Sequence, residues 1–241
     1  MKALVFADEQ SSILSIWREA LRTIRRYPLA AFLPAAVLAM LRAAPYYFIE
    51  GKINVPEQIL TSLTGAFALY LYIVYIAYAE EVTAEVEAGA ERITMRSVLR
   101  MLRQAHPVVP SAIVASVAAI IIPRVAVTLL VIPGLWLLTR WSLYAPVISR
   151  EHLGPVAALK CSGALVRGPF ELVFLTAALV TVLEEVAVHA GGVGGLLVSG
   201  SETWGQWLGG SIATLLIMPL AAFVTSVTSI RLANLGFARS F

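Results

Sequence analysis

Trp17-Arg18-Glu19-Ala20-Leu21-Arg22-Thr23-Ile24-Arg25-Arg26-Tyr27-Pro28 joins a basic amphipathic stretch to a proline, and an apolar run to Ile49 follows at once. The same unit recurs twice. Ser97 leads through Arg100 and Arg103 to Pro107, and Ala157 leads through Lys160 and Arg167 to Pro169, each ahead of another apolar run. A proline costs nothing in the first turn of a helix, where its missing N–H has no intrahelical partner. Each following run is long enough to enter a bilayer, whose core takes about 20 apolar residues. These residues predict an all-α, polytopic membrane protein built by internal repetition.

Composition agrees. Of 241 residues, 59% are hydrophobic and only 14% charged, with a mean hydropathy of +0.82; soluble globular chains carry about 25% charged residues. Continuous apolarity places six spans at about 28–49, 59–79, 107–132, 135–149, 169–190 and 207–230. Interfacial helices are expected at about 10–26, 88–105 and 153–167. The third and fourth spans are expected to turn at Pro133-Gly134, with Pro123-Arg124 as the alternative break. The run Gly191-Gly192-Val193-Gly194-Gly195 reads as part of a mobile loop, 191–202. Six spans leave no stretch for a soluble catalytic unit, so residues 1–241 are expected to form one membrane domain. Cys161 is the only cysteine, which excludes an intrachain disulfide and a cysteine-built zinc site. Met1–Gln10 carries acidic residues and lacks the basic-then-apolar layout of a cleaved signal peptide.

Orientation follows from lysine and arginine, which short cytoplasmic loops retain. Lys2, Arg18, Arg22, Arg25 and Arg26 precede the first span, and Arg92, Arg96, Arg100 and Arg103 lie between spans two and three. Arg150, Lys160 and Arg167 lie between spans four and five, Arg231 and Arg239 after span six, and Lys52 alone on the other side. Both termini are therefore expected in the cytoplasm of a cell whose plasma membrane holds the chain. Tyr46, Tyr47, Phe48, Trp204 and Trp207 suit the outer interface. The net charge of +3 and pI near 9.2 do not indicate nucleic acid, because the basic residues collect at span ends.

The first amphipathic stretch sets Ile13, Trp17, Leu21 and Ile24 against Arg18, Arg22 and Arg25, and the second aligns Arg92, Arg96, Arg100 and Arg103. Such helices lie in the interface with basic residues toward anionic headgroups, or serve as docking surfaces for a cytoplasmic or membrane partner. One interfacial helix plus two spans per unit brings every copy in from the same side, so the repeats are parallel rather than inverted.

Ionisable residues within spans are costly unless paired, snorkelling or wet. Arg42, Arg124, Arg140, Glu184 and Glu185 are of this kind, and all five are expected in the outer half of the bilayer. Three readings stand: structural pairing of Arg124 or Arg140 with a glutamate, a site for an anionic lipid group, or a transport pathway lined further by Thr225 and Ser226. Glu80, Glu81, Glu85, Glu87 and Glu91 read as a solvated helix face. Gly205, Gly209, Ser211, Thr225, Ser226, Thr228 and Ser229 read as helix-packing positions. Glu185 and His189 share a helical face but supply two ligands where a metal needs three or four. No zinc-protease motif, nucleophile elbow, Walker loop or dinucleotide fingerprint occurs. Neither an enzyme nor a cofactor is expected.

From Pro133 onward, Pro133-Gly134-Leu135-Trp136 leads into Arg140, Ser142 and Pro146. Gly154-Pro155-Val156-Ala157-Ala158-Leu159-Lys160, Ser162 and Leu165-Val166-Arg167-Gly168 follow. This segment resembles the membrane domain attached to some bacterial glycerophosphodiester phosphodiesterases, a domain that also occurs free-standing. The chain departs from that pattern in Gly163 and Ala164, where an aromatic and a basic residue are typical, and in its Ser229-Ile230-Arg231-Leu232 ending. The resemblance implies a membrane domain without hydrolytic activity, since a separate soluble barrel performs hydrolysis in the fused proteins. The expected role is a lipid-associated accessory or scaffold protein with an anionic-lipid site at the five charged residues. A small transporter or export component for a hydrophobic or phosphorylated solute is the alternative. Burial of the arginines against the glutamates favours the first, and a wet path to Thr225 and Ser226 favours the second.

Overall fold

The computed structural model describes residues 12–49, 57–90, 93–105, 110–115, 118, 122, 131–200 and 202–235. Its elements are helices: α1 (Ile13–Arg26), α2 (Pro28–Ile49), α3 (Glu57–Glu87), α4 (Met95–Ala105), α5 (Val131–Trp141), α6 (Tyr144–Glu151), α7 (Pro155–Leu165), α8 (Phe170–Ser199) and α9 (Glu202–Asn234). Residues 110–115 are also helical, and no strand occurs among the described residues. Two helices are long and apolar enough to cross a membrane, Phe170–Ser199 and Trp204–Asn234. At ~1.5 Å per residue, either exceeds the ~30 Å of a bilayer core.

Local chemistry sets the helix ends. Ser12 caps α1 by accepting from the Ser15 amide at 3.2 Å. Tyr27 leaves the helical region (φ −129°, ψ 59°) because the Pro28 ring disfavours it there, and Pro28 then opens α2. Thr94 caps α4, its hydroxyl accepting from the Ser97 amide at 3.3 Å. Gly200 ends α8 in the left-handed region (φ 65°), its amide donating to the Leu196 carbonyl at 2.9 Å.

Helix α9 is the axis of the molecule: α1, α2, α3, α6, α7 and α8 all pack on it, and α8 and α9 form the most extensive pair. Tyr75, Tyr78, Phe223 and Val224 are buried at the centre, with Ile16 and Ala20 of α1 closing one end. A second cluster gathers Leu143, Val147 and Ile148 with Leu165, Val166 and Val173. Hydroxyls stitch α3 to α2. Tyr75 donates to the Ala31 carbonyl at 2.6 Å and Tyr78 to the Ala30 carbonyl at 2.8 Å. Pro34 cannot donate to the Ala30 carbonyl, so the Tyr78 hydroxyl supplies the bond that the helix lacks.

Several expected boundaries are corrected. Pro133 and Gly134 lie within α5, so they do not make the turn. The expected fourth span, 135–149, is two short helices broken at Ser142-Leu143, where the Ser142 hydroxyl donates to the Thr139 carbonyl at 2.9 Å. The alternative break at Pro123-Arg124 lies outside the described residues. The expected loop 191–202 is helical through Ser199. Close packing on α9, rather than flexibility, explains its glycines. A Cβ on Gly191 would strike the Gly209 backbone and one on Gly195 the Gly205 backbone, whereas Gly192 and Gly194 meet nothing within 4 Å. The interfacial helix expected at 88–105 begins only at Met95, because α3 runs on to Glu87 and ends in a turn with Gly89 at φ 88°. The expected 153–167 helix is α7, which buries Ala158, Ser162 and Gly163 rather than lying free.

Candidate functional site

The charged residues expected together do not all meet. Arg140, at the end of α5, turns toward α7. Its Nε donates to the Gly163 carbonyl at 3.3 Å, its guanidinium sits 4.5 Å from the Trp136 ring centre, and its own carbonyl accepts from Ser162 Oγ at 2.8 Å. No ion pair joins it to Glu184 or Glu185. Those two lie on α8, where Glu184 is half-buried and Glu185 is exposed beside His189, their side chains 3.6 Å apart. No group of three potential metal ligands occurs among the described residues. Arg124 and the side chain of Arg42 lie outside the described residues.

What the fold does assemble is a polar crevice. On α8, Val173, Thr176, Val180 and Glu184 recur at helical spacing and face Tyr72 of α3, Ser142 at the α5–α6 break, and Thr225 and Thr228 of α9. They enclose a cavity of about 130 Å³. Tyr72 donates to Glu184 Oε1 at 3.3 Å. Beyond that pair lies a second cavity of about 160 Å³, lined by Glu184, Glu185 and Thr214 among apolar residues. Thr225 and Thr228 bond back to the carbonyls four residues earlier, at 2.8 and 2.7 Å, which leaves their oxygens as acceptors. Thr176 is buried, and its hydroxyl has no hydrogen-bond partner. A buried orphan hydroxyl on a cavity wall is a place for water or a polar guest. All described lining residues of the two cavities are acidic or uncharged.

No protein-family model, curated protein or solved structure matches this chain. The resemblance over residues 133–174 thus rests on its own residues. One of its departures has a local cause: a Cβ on Gly163 would stand 3.3 Å from Arg140 Nε, so this glycine leaves the space that the guanidinium fills.

A further charged cluster lies at the basic end of the bundle. Glu80, one residue past the apolar run 59–79, is buried rather than part of a solvated face, which corrects the expectation for it. Its carboxylate is 3.9 Å from Arg150 Nη1, and neither oxygen has a hydrogen-bond partner. Burial pushes Glu80 up to about 8, against the opposing pull of Arg150. Arg150 also reaches the carbonyl and hydroxyl of Ser229, each at 3.4 Å, and Glu151 at 3.0 Å. Arg231 ties α9 to Glu19 and to Ser15 Oγ of α1, and Arg100 ties α4 to Glu85. Sequence reasoning missed Glu80 and Arg150, which it took for a solvated charge and a topology signal. It also missed Thr176 and Tyr72. The eight-residue spacing of Thr176 and Glu184 was the one signal available.

Proposed function

We propose that this chain is a non-enzymatic, multi-pass plasma-membrane protein that admits a small polar solute through the crevice at Thr176 and Glu184, as a transporter or export component does. It crosses the bilayer six times with both termini in the cytoplasm, the broken pair α5–α6 making the fourth crossing, in three parallel repeats of one short helix and two spans. The orders α1–α2–α3 and α7–α8–α9, each a short helix then two long ones, support that repetition. The single observation that carries the transport reading is a hydroxyl-lined cavity reaching from Glu184 to Thr225 and Thr228 within an otherwise apolar bundle. A broken helix bordering such a cavity is a recurrent feature of transporter binding sites. The lining carboxylate favours a cationic or neutral polar solute over a phosphorylated one.

The accessory reading, with an anionic-lipid site at Arg42, Arg124, Arg140, Glu184 and Glu185, stands second. The Arg140 guanidinium is already engaged by Gly163 and Trp136. The resemblance to the phosphodiesterase membrane domains is compatible with either role.

Cysteine accessibility tests the reading, since Cys161 is the only native thiol. In a Cys161→Ser background, Thr176→Cys, Thr225→Cys and Thr228→Cys are treated in membranes with a charged, membrane-impermeant thiol reagent. Leu216→Cys, on the exposed apolar side of α9, is the lipid-facing control. Modification of the three threonine positions but not of 216 supports a wet passage. Uniform protection means a dry crevice and returns the accessory reading to first place.

A further inference from the structure

Helix α1 has two faces with different fates. Ile16, Ala20, Thr23 and Ile24 are buried against the bundle, and Glu19, the only acidic residue of the helix, is turned to Arg231. The other face keeps Leu14 74% and Leu21 39% exposed. Arg18, Arg22 and Arg25 stand beside them at helical spacing, and with Trp17 they line an open groove of about 440 Å³. The Trp17 indole N–H is buried and has no hydrogen-bond partner.

We infer that this groove of α1 binds an anionic glycerophospholipid, its phosphate held by Arg18, Arg22 and Arg25 and its acyl chains lying along Leu14 and Leu21. Among the described residues no carboxylate pairs with these three guanidiniums, Glu19 being turned to Arg231, and guanidinium matches a phosphodiester in geometry as well as sign. The exposed leucines make the occupant a lipid rather than an acidic protein or free phosphate. On α2, just past Pro28, Leu29, Leu33, Val37 and Met40 form a further exposed apolar stripe. Headgroup and chains of one lipid therefore find complementary surfaces side by side. The inference is independent of the solute passage, because α1 lines neither of its cavities.

Native mass spectrometry of the full chain, released from nanodiscs of equal phosphatidylglycerol and phosphatidylcholine, tests it. Wild type is compared with Arg18→Gln/Arg22→Gln/Arg25→Gln, with Leu14→Ser/Leu21→Ser, and with Arg96→Gln/Arg103→Gln on α4. Because each basic residue near an anionic surface adds to lipid affinity, the triple variant is expected to lose retained phosphatidylglycerol by tenfold or more. The serine variant weakens retention and the α4 variant leaves it unchanged. Circular dichroism confirms that each variant folds. Equal retention of both lipids by wild type, or the same loss in the α4 variant, overturns the inference. So does displacement of the lipid by millimolar inorganic phosphate with no effect of the serine substitutions, since the groove then binds free phosphate. An unchanged triple variant overturns it outright.

Discussion

Gly195 of α8 meets Gly205 of α9 backbone to backbone, with no room for a Cβ on either residue. Gly191 and Gly209 repeat the contact one turn away. Dispersion and shape complementarity, rather than water expulsion, hold helices together in lipid, so this close approach carries the α8–α9 pair. Gly195→Ala or Gly205→Ala should each lower stability by about 1–3 kcal/mol through overpacking. Gly192→Ala and Gly210→Ala, where an added Cβ meets nothing within 4 Å, should raise it by about 0.5–1 kcal/mol through helix propensity. Denaturation in mixed micelles separates the two groups, and equal effects at all four positions would contradict the contact.

Tyr78 and Pro34 compensate each other through the Ala30 carbonyl. Tyr78→Phe leaves that buried acceptor unbonded and should cost about 1–3 kcal/mol. Pro34→Ala restores an intrahelical N–H four residues after Ala30, so in that background the same substitution should cost measurably less. A double-mutant cycle reads the difference as a coupling energy. Additive effects would show that the hydroxyl is not standing in for the missing amide.

Glu80 makes stability depend on pH. Its folded value near 8 lies above the ordinary 4.5, so the folded chain holds this proton more tightly than the unfolded chain. Its contribution is therefore fully present below about 4.5 and is lost as pH rises through 8. The melting temperature should fall by on the order of 5 °C between pH 5 and pH 8, and Glu80→Gln should flatten that slope. Arg150→Met removes the opposing cation and should move the transition to higher pH. An identical slope in wild type and Glu80→Gln would assign the effect to other groups.

Arg140 joins α5 to α7 through Gly163 and Trp136. Arg140→Ala should destabilise the chain by about 1–2 kcal/mol, combining a charged hydrogen bond with a cation–π contact. Trp136→Leu should cost less, because the bond to the Gly163 carbonyl survives. If Arg140 instead served the outer-half anionic site, its loss would change lipid retention without changing the melting temperature.

The sequence was a good guide wherever the cause is local. Pro28 opens α2, and the basic stretch before it is helical from its Ser12 cap, because proline geometry and side-chain capping act within a turn. Gly205 and Gly209 are packing positions, as their spacing implied. Gly191 to Gly195 misled for a physical reason. The same missing Cβ that permits a loop also permits backbone contact, and only a partner helix decides between them. Pro133-Gly134 misled similarly, since a dipeptide that commonly marks a turn is here carried within α5.

By itself, the chain's composition and period determined that it is helical and apolar, where its amphipathic stretches lie and where its positive charge collects. Those properties depend on neighbours three or four residues away. Only the tertiary structure decided that Glu80 is buried against Arg150, that Arg140 turns to Gly163 and that Thr176 and Glu184 open onto Tyr72 and Thr225. Periodicity names the residues that share a helical face. Which face meets which helix is settled by packing between residues up to about two hundred positions apart, as Ser15 and Arg231 show, and no local pattern encodes that pairing.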